Sequence, residues 1–440
     1  MDPTNSSKGQ SEQLILKDLN QLVESAKLHV EQGEFEGAFK LAQKIRKIAH
    51  KHNNDYFDGQ ATVIEASCFF HLKDFDNAAE KYQQVIIHPS EDISLAARGL
   101  NGLAIIAGIQ GDYFLCERYL LQALALLDKH QNKTKDDLDS LKRIFNNLIV
   151  IYRQWGDFDK ALHYLERCIE ISTQLSDDSG LITAYANAGR LYLDYFKYES
   201  AIENLETGII LAETIDARIR LVSMLPNLAE AYTMIGEFQK AEQIIDKALS
   251  LAFELGDAAF VAHARNAAAI LHFTKKDYQK ALFFVNAAID LHRSFEEAQD
   301  FEILIRSLVI KIQVNLELEM HDELLADLEE ALKITKKQNV ILYHIIFLNI
   351  KAMLKVSEND FSEAKGLIDE ATVFCKEYKL LSHLEHTQEN RELVVKLEQA
   401  NKAYDLAISH QQKVQKEQEN RQNTIKIIKD YITEVLPTIR

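Results

Sequence analysis

Three asparagines recur at a constant spacing near the middle of this 440-residue sequence. Asn147, Asn187 and Asn227 are 40 residues apart, and each lies eleven residues before an aromatic residue. An amide side chain carries two donors and one acceptor, so it can bond both the N–H and the C=O of a peptide unit. The column is therefore a candidate binding surface. The alternative is that these amides bond neighbouring helices of the protein itself.

Charged residues accompany the asparagines. Arg143 precedes the first asparagine by one helical turn, while Arg190 and Glu230 follow the second and third by three residues. Residues at these spacings share one face of a helix. A guanidinium group can hold a carboxylate through two parallel hydrogen bonds, which applies to Arg153 as well. We add Arg143, Arg190 and Glu230 to the candidate binding residues; ion pairs within the protein are the alternative.

No other group of residues points to a known chemistry. The sequence contains no GxSxG, HExxH or P-loop motif. His383 and His386 share a helical face but lack a third metal ligand. The cysteines form no CxxC pair and are interpreted as small buried side chains: Cys68, Cys116, Cys168 and Cys375. The sequence thus predicts no catalytic residues, no metal, no cofactor and no enzymatic activity.

Composition narrows the partners and the location. The formal net charge is −17, which argues against binding nucleic acid or an anionic membrane surface. The polar first residues lack the apolar core of a secretory signal, and no apolar run is long enough to span a membrane. Together with the unpaired cysteines, these features predict a cytoplasmic protein.

A repeat of about 40 residues organises most of the chain. Each unit has an apolar helix face, a short turn such as QGEF or WGDF, an aromatic residue, and Ala three residues later. The aromatic–small pairs are Phe35/Ala38, Phe75/Ala78, Tyr113/Cys116, Phe158/Ala161, Tyr198/Ala201, Phe238/Ala241, Tyr278/Ala281 and Phe361/Ala364; in the eighth unit Glu323 replaces the aromatic before Ala326. Further small residues seven positions on allow close helix packing, and glycine in the turn permits a left-handed conformation. A fixed period of this length indicates stacked helical hairpins.

This pattern resembles the tetratricopeptide repeat, in a form lengthened from roughly 34 to roughly 40 residues. The long form is similar to arrays in Rap-type bacterial regulators and Pins/LGN-type polarity adaptors. The resemblance implies an all-α, right-handed superhelical solenoid of about nine hairpins over 11–378, after a disordered segment 1–10. It also implies that the asparagine column faces a groove that binds peptides. Pro226 is expected in the first turn of its helix, where its missing N–H costs nothing.

The segment 379–440 has a different pattern. Apolar residues follow heptad steps from Leu393 to Val435, with polar residues such as Gln411 and Arg421 in the middle of the seam. This pattern predicts a long helix that forms a coiled coil and a homodimer. The alternative is a capping helix that folds back on the last repeat.

These observations lead to two hypotheses for function. The first is an interaction scaffold that binds a peptide or a helical segment of a partner protein in its groove, while the C-terminal helix dimerises or docks. The second is a bacterial signalling regulator, in which a bound peptide or protein changes the array and the C-terminal coil relays the change.

Overall fold

A computed structural model describes residues 3–87, 92–130, 132–155, 157–294, 301–337, 340–378, 380–405 and 419–430. All regular structure in these ranges is α-helix, and none of the described helices is long and apolar enough to cross a membrane. The helices are α1 (Pro3–Glu31), α2 (Phe35–Lys51), α3 (Asp55–His71), α4 (Phe75–Ile86), α5 (Ile93–Ile109), α6 (Tyr113–Leu127), α7 (Lys135–Gln154), α8 (Phe158–Gln174), α9 (Asp178–Asp194), α10 (Tyr198–Thr214), α11 (Arg218–Met234), α12 (Phe238–Leu255), α13 (Ala258–Thr274), α14 (Tyr278–Ser294), α15 (Phe301–Glu317), α16 (His321–Lys337), α17 (Ile341–Ser357), α18 (Phe361–Glu377), α19 (Leu381–Asp405) and α20 (419–430).

The first eighteen of these described helices form nine consecutive hairpins, as the sequence predicts. The aromatic residue of the repeat marks the start of the second helix, as at Phe158, Tyr198, Phe238 and Tyr278. Successive second helices from α8 to α14 therefore begin 40 residues apart. The repeat length follows from two helices of about 17 residues joined by short turns.

The small residues of the second helices are buried, which confirms their predicted role in close packing. Ala201 and Ala241 are fully buried, and so are Ala248 and Cys168. A Cβ added to Gly208 would lie 3.0 Å from Met224 Sδ on the next helix, so the small residue permits this approach. All four cysteines are buried and free.

The turns between helices confirm the predicted use of glycine and extend it. Gly33, Gly111 and Gly236 have φ values of 75°, 79° and 82°, in the left-handed region. In other hairpins the left-handed position of the turn is occupied by a residue other than glycine, such as Lys276 with φ of 60°. Several second helices then begin after a capping aspartate; Asp112 Oδ1, for example, accepts a hydrogen bond of 2.9 Å from the Leu115 N–H.

Two expectations differ from the structure. Residues 3–10, predicted to be disordered, form the first turns of α1, which Pro3 starts with its favourable fixed φ. Pro226, predicted in a first turn, lies in the interior of α11. It cannot donate the helical hydrogen bond to the Val222 carbonyl. The buried side chains of Met224, Leu225 and Leu228 hold this part of α11 as helix despite that loss.

The chain consists of two compact units, Met1–Leu148 and Ile149–Arg440, and the boundary between them lies inside α7. A buried cluster of α1 to α3 residues forms one core of the first unit, including Leu19, Ile45 and Phe57. In the second unit, one cluster lies between α9 and α13 and a larger one extends from α13 to α20. The handedness of the array stays a prediction.

The C-terminal helices pack on the chain's own array. On α19, Val394 is fully buried and Asn390 donates a hydrogen bond of 3.1 Å to Asn349 on α17. On α20, Ile428 is fully buried, and Lys429 forms an ion pair of 3.0 Å with Glu317 at the end of α15. The described parts of the heptad seam thus pack within one chain, as the capping alternative requires. The middle of the seam, including Gln411, lies outside the described residues, and dimerisation stays a prediction.

Candidate functional site

The first helices of successive hairpins in the second unit form a continuous wall. Helix α9 packs beside α11, α11 beside α13, and α13 beside α15. Nevertheless, Glu230 on α11 accepts a hydrogen bond of 2.9 Å from Arg306 on α15. Neighbouring helix axes lie about 8–10 Å apart, so these two side chains could not meet across α13 if the wall were flat. The wall is therefore concave on the side that carries Glu230 and Arg306.

A network of buried charges lies on this concave side. Asp194 accepts hydrogen bonds of 2.9 Å from Arg153 Nη1 and of 2.9 Å from Arg190 Nε. Glu230 Oε2 accepts from Arg306 and, at 3.4 Å, from Arg190 Nη1. Both carboxylates are less than 6% exposed. Charged groups from α7, α9, α11 and α15 thus form one chain of contacts, which we call the arginine–carboxylate network.

Burial affects the pKa of Arg190 in this network. Burial, followed by the nearby Arg306, lowers the pKa of Arg190 although Asp194 and Glu230 oppose the shift. Arg46 in the first unit gives a contrast, because its hydrogen bond to Glu65 raises its pKa. Desolvation and like charge disfavour the charged form of a base, whereas a paired carboxylate favours it.

Asn227 contributes an unpaired acceptor one turn away from Glu230. Its side chain is 8% exposed, and its Oδ1 atom has no hydrogen-bond partner among the described residues. Leaving such a buried carbonyl unpaired costs about 1–3 kcal/mol. A donor from outside the chain, such as the N–H of a peptide, would remove this cost.

The structure divides the predicted site residues between the two units. Asn187, Arg190, Asn227 and Glu230 belong to the second unit. Arg190 and Glu230 are in contact, and Asn187 is half-buried one turn before Arg190.

The two remaining predicted residues belong to the first unit. Asn147 Nδ2 donates a hydrogen bond of 2.8 Å to Asn101 Oδ1 on α5. Arg143 is exposed and pairs with Asp139 on its own helix at 3.1 Å. Both side chains thus bond within the protein itself, which is the alternative to ligand binding that the sequence analysis gives for each of them.

Sequence reasoning missed two members of the network, Asp194 and Arg306. Asp194 ends α9, and the residues 40 positions before and after it are Gln154 and Met234, so no periodic signal marks it. Arg306 follows the longer connection between the seventh and eighth hairpins, where the repeat loses its constant spacing. Only the fold brings these residues to Arg190 and Glu230.

Within the described ranges, no three His, Cys, Asp or Glu side chains are grouped so that they could hold a metal ion. The candidate site contains amides, guanidinium groups and carboxylates. This set can bind polar and charged groups through hydrogen bonds.

Helical hairpins in series, with a polar concave wall, define an α-helical repeat protein. Residues 140–213 and 220–294 match the family model of the tetratricopeptide repeat. The matched residues therefore form tetratricopeptide repeats with the 40-residue period, and they include Arg143, Asn147, Asn187, Arg190, Asn227 and Glu230.

Solved structures with a similar fold include those of NprR and RapI. The apo form of the quorum sensor NprR from B. thuringiensis has 14% sequence identity and a TM-score of 0.52, over 87% of this chain and 99% of that one. The apo form of RapI has 12% identity and a TM-score of 0.52, over 86% and 97%. NprR in complex with its cognate peptide NprX has 13% identity and a TM-score of 0.50, over 72% and 89%. At these identities the similarity establishes a common fold.

Proposed function

We propose that the protein is a non-enzymatic interaction protein that binds a peptide, or a segment of a partner protein, on the concave wall of its second unit. The unpaired Asn227 Oδ1 atom is the observation that carries this proposal. A carbonyl buried to this degree without a donor costs stability, and a bound main-chain N–H would satisfy it. The NprR structure with its peptide adds support, because a protein of the same fold binds a peptide.

The neighbouring residues fit the same ligand. Asn187 lies on α9 at the position equivalent to Asn227 on α11, so the two amides would contact successive parts of an extended chain. The arginine–carboxylate network beside them would contact charged groups of the ligand. We include a cytosolic location in the proposal, because all four cysteines are free and buried.

Peptide retention tests the proposal directly. Immobilised full-length protein would be incubated with a pool of random heptapeptides, and the retained peptides would be quantified by mass spectrometry. We expect retention by the wild type and a loss of roughly tenfold in Asn227→Ala, the effect of one or two lost hydrogen bonds. The variant should melt at the same temperature as the wild type or higher, because it no longer buries an unpaired carbonyl.

Asn204→Ala provides a matched control. Asn204 is a half-buried amide on α10, where its Nδ2 atom bonds the Ser200 carbonyl at 2.8 Å. This variant should retain peptides as the wild type does. Equal retention by Asn227→Ala and the wild type, or no retention by the wild type, would contradict the proposal.

A second candidate function, a signalling regulator, is favoured by the position of α15. This helix carries Arg306 in the network and, eleven residues later, Glu317 in the ion pair with Lys429 of α20. A ligand that moves α15 would therefore disturb the C-terminal helix. Hydrogen exchange in 419–430 should change when the retained peptides are added. Unchanged exchange would contradict the signalling function, and only the scaffold function would remain.

A further inference from the structure

The side chains of the arginine–carboxylate network occupy related positions on their helices. Counted back from the start of the second helix of each hairpin, Arg306 lies at position 15, Glu230 at position 8 and Asp194 at position 4. Steps of three and four residues keep positions 15, 11, 8 and 4 on one face of a helix. We call these four positions of a first helix the concave stripe. Glu317, four residues before α16, belongs to the concave stripe of α15.

The concave stripe of α17 differs from that of α7 in both chemistry and burial. On α7, positions 15 and 8 are Arg143 and Val150, and both side chains are exposed, Val150 by 36%. On α17, positions 15, 11 and 8 are Ile346, Ile350 and Met353, and all three are fully buried. Side chains on this face lose contact with water only where another element packs over them. The apolar stripe of α17 is therefore covered.

Helix α20 meets this end of the wall. Its Lys429 forms the ion pair of 3.0 Å with Glu317 on the concave stripe of α15. The preceding residue, Ile428, is fully buried and belongs to the same core cluster as Ile346, Ile350 and Met353 of α17. One helix thus contributes a base to the carboxylate of α15 and an aliphatic side chain to the cluster of α17.

Few side chains hold α20 in place. Among residues 419–430 only Thr424 and Ile428 are buried, whereas twelve of the seventeen residues of α17 are buried. Elements with few buried apolar contacts open at a lower free energy than the core of the same protein. Helix α20 can therefore leave while the hairpins stay folded, and its departure would expose apolar side chains of the cluster.

We infer that α20 is a displaceable cover over a helix-binding surface of α15 and α17. The occupant that replaces it is an amphipathic helix of a partner protein with the pattern of α20. That pattern is two aliphatic side chains three residues apart, as at Ile425 and Ile428, followed by a base that pairs with Glu317. Such a helix would bury the same apolar surface and meet the same carboxylate. This surface is separate from the peptide site proposed on α9 and α11.

A labelled peptide of residues 419–430 is the probe, and its binding to the full-length protein is measured by fluorescence anisotropy. In the wild type, α20 competes with the probe from within the chain at a high effective concentration. Ile428→Asp in the protein removes this competitor, so the variant should bind the probe at least about tenfold more tightly than the wild type. A probe that itself carries Ile428→Asp should bind neither protein.

The ion pair provides a second test. Lys429→Glu in the probe should weaken its binding to the Ile428→Asp protein, and Glu317→Lys added to that protein should restore it. Lys426→Glu in the probe is the matched control, because Lys426 is exposed and its probe should bind like the unmodified one. Lys429→Glu in the full-length protein loosens the cover without burying a charge. It should also strengthen binding of the unmodified probe, so the test holds even if Ile428→Asp folds poorly.

Three outcomes would overturn the inference. The first is equal binding of the probe by the wild type and both cover variants, and the second is no binding by any of them. The third is equal weakening by Lys426→Glu and Lys429→Glu in the probe, which would show only the attraction of a basic peptide to an acidic protein. None of these outcomes changes the retention of random heptapeptides, so the proposed function is tested separately.

Discussion

Glu230 on α11 and Arg306 on α15 are joined by a hydrogen bond of 2.9 Å, although they are 76 residues apart and α13 lies between their helices. The bond links hairpins that are not neighbours, and it forms on the wall where we propose that a peptide binds.

The first prediction concerns the stability that this bond provides. Arg306→Gln leaves the buried Glu230 with fewer donors, and breaking a buried ion pair costs roughly 3–5 kcal/mol. We expect a clear fall in the midpoint of urea unfolding. Arg293→Gln removes an exposed ion pair with Glu330 and should cost under about 1 kcal/mol. Similar losses in the two variants would show that the cross-wall bond contributes no special stability.

The second prediction concerns the turns. Lys276 adopts a left-handed conformation that costs an ordinary residue about 1–2 kcal/mol, so Lys276→Gly should raise the melting temperature. Gly236 has φ of 82° and no atom within 4 Å of an added Cβ, so Gly236→Ala should lower it for conformational reasons alone. Calorimetry of both variants checks the pair. Shifts in the same direction would contradict this explanation.

The third prediction concerns pH. His383 on α19 is buried, and this burial, with the nearby His386, lowers the pKa of His383 to about 4. As pH falls below 6.5, the unfolded chain takes up this proton before the folded chain does, so stability falls until about pH 4. The difference is worth roughly 3 kcal/mol between those limits.

Unfolding measured from pH 7 to pH 4 checks this third prediction. His383→Leu should lose less stability than the wild type over that range. Identical pH profiles for the wild type and His383→Leu would contradict the assignment.

The fourth prediction concerns the C-terminal helices. Ile428 on α20 is fully buried in the core cluster of the second unit. Ile428→Asp should release α20 and increase hydrogen exchange over 419–430, since burying a charge without a partner is costly. If α20 acts as a cap within one chain, the mass measured by light scattering should stay the same. A reduced mass would instead support the dimeric coiled coil.

The repeats were predictable from the sequence because local chemistry determines them. The aromatic at Phe238 starts a helix, Gly236 ends the preceding one, and Ala241 and Ala248 are buried where helices approach closely. These features lie within one hairpin and recur every 40 residues. A single unit therefore contains the information needed to recognise the array.

The candidate site was predictable only in part. Arg190 and Glu230 belong to the period, and the structure brings them together. Arg306 does not belong to it, because its contact depends on the curvature of three hairpins in sequence. Pro226 was misplaced for a related reason: buried neighbours such as Leu225 outweigh the local preference of proline for a helix start.

The bond across α13 has a consequence for the modularity of the protein. Repeat arrays commonly tolerate the loss or insertion of a whole unit, because each unit contacts only the next one. Excising the hairpin of α13 and α14, or duplicating it, would leave the remaining units able to stack but would change the distance between Glu230 and Arg306. This stretch of the chain should therefore resist the shuffling of units that its regular repeats would otherwise allow.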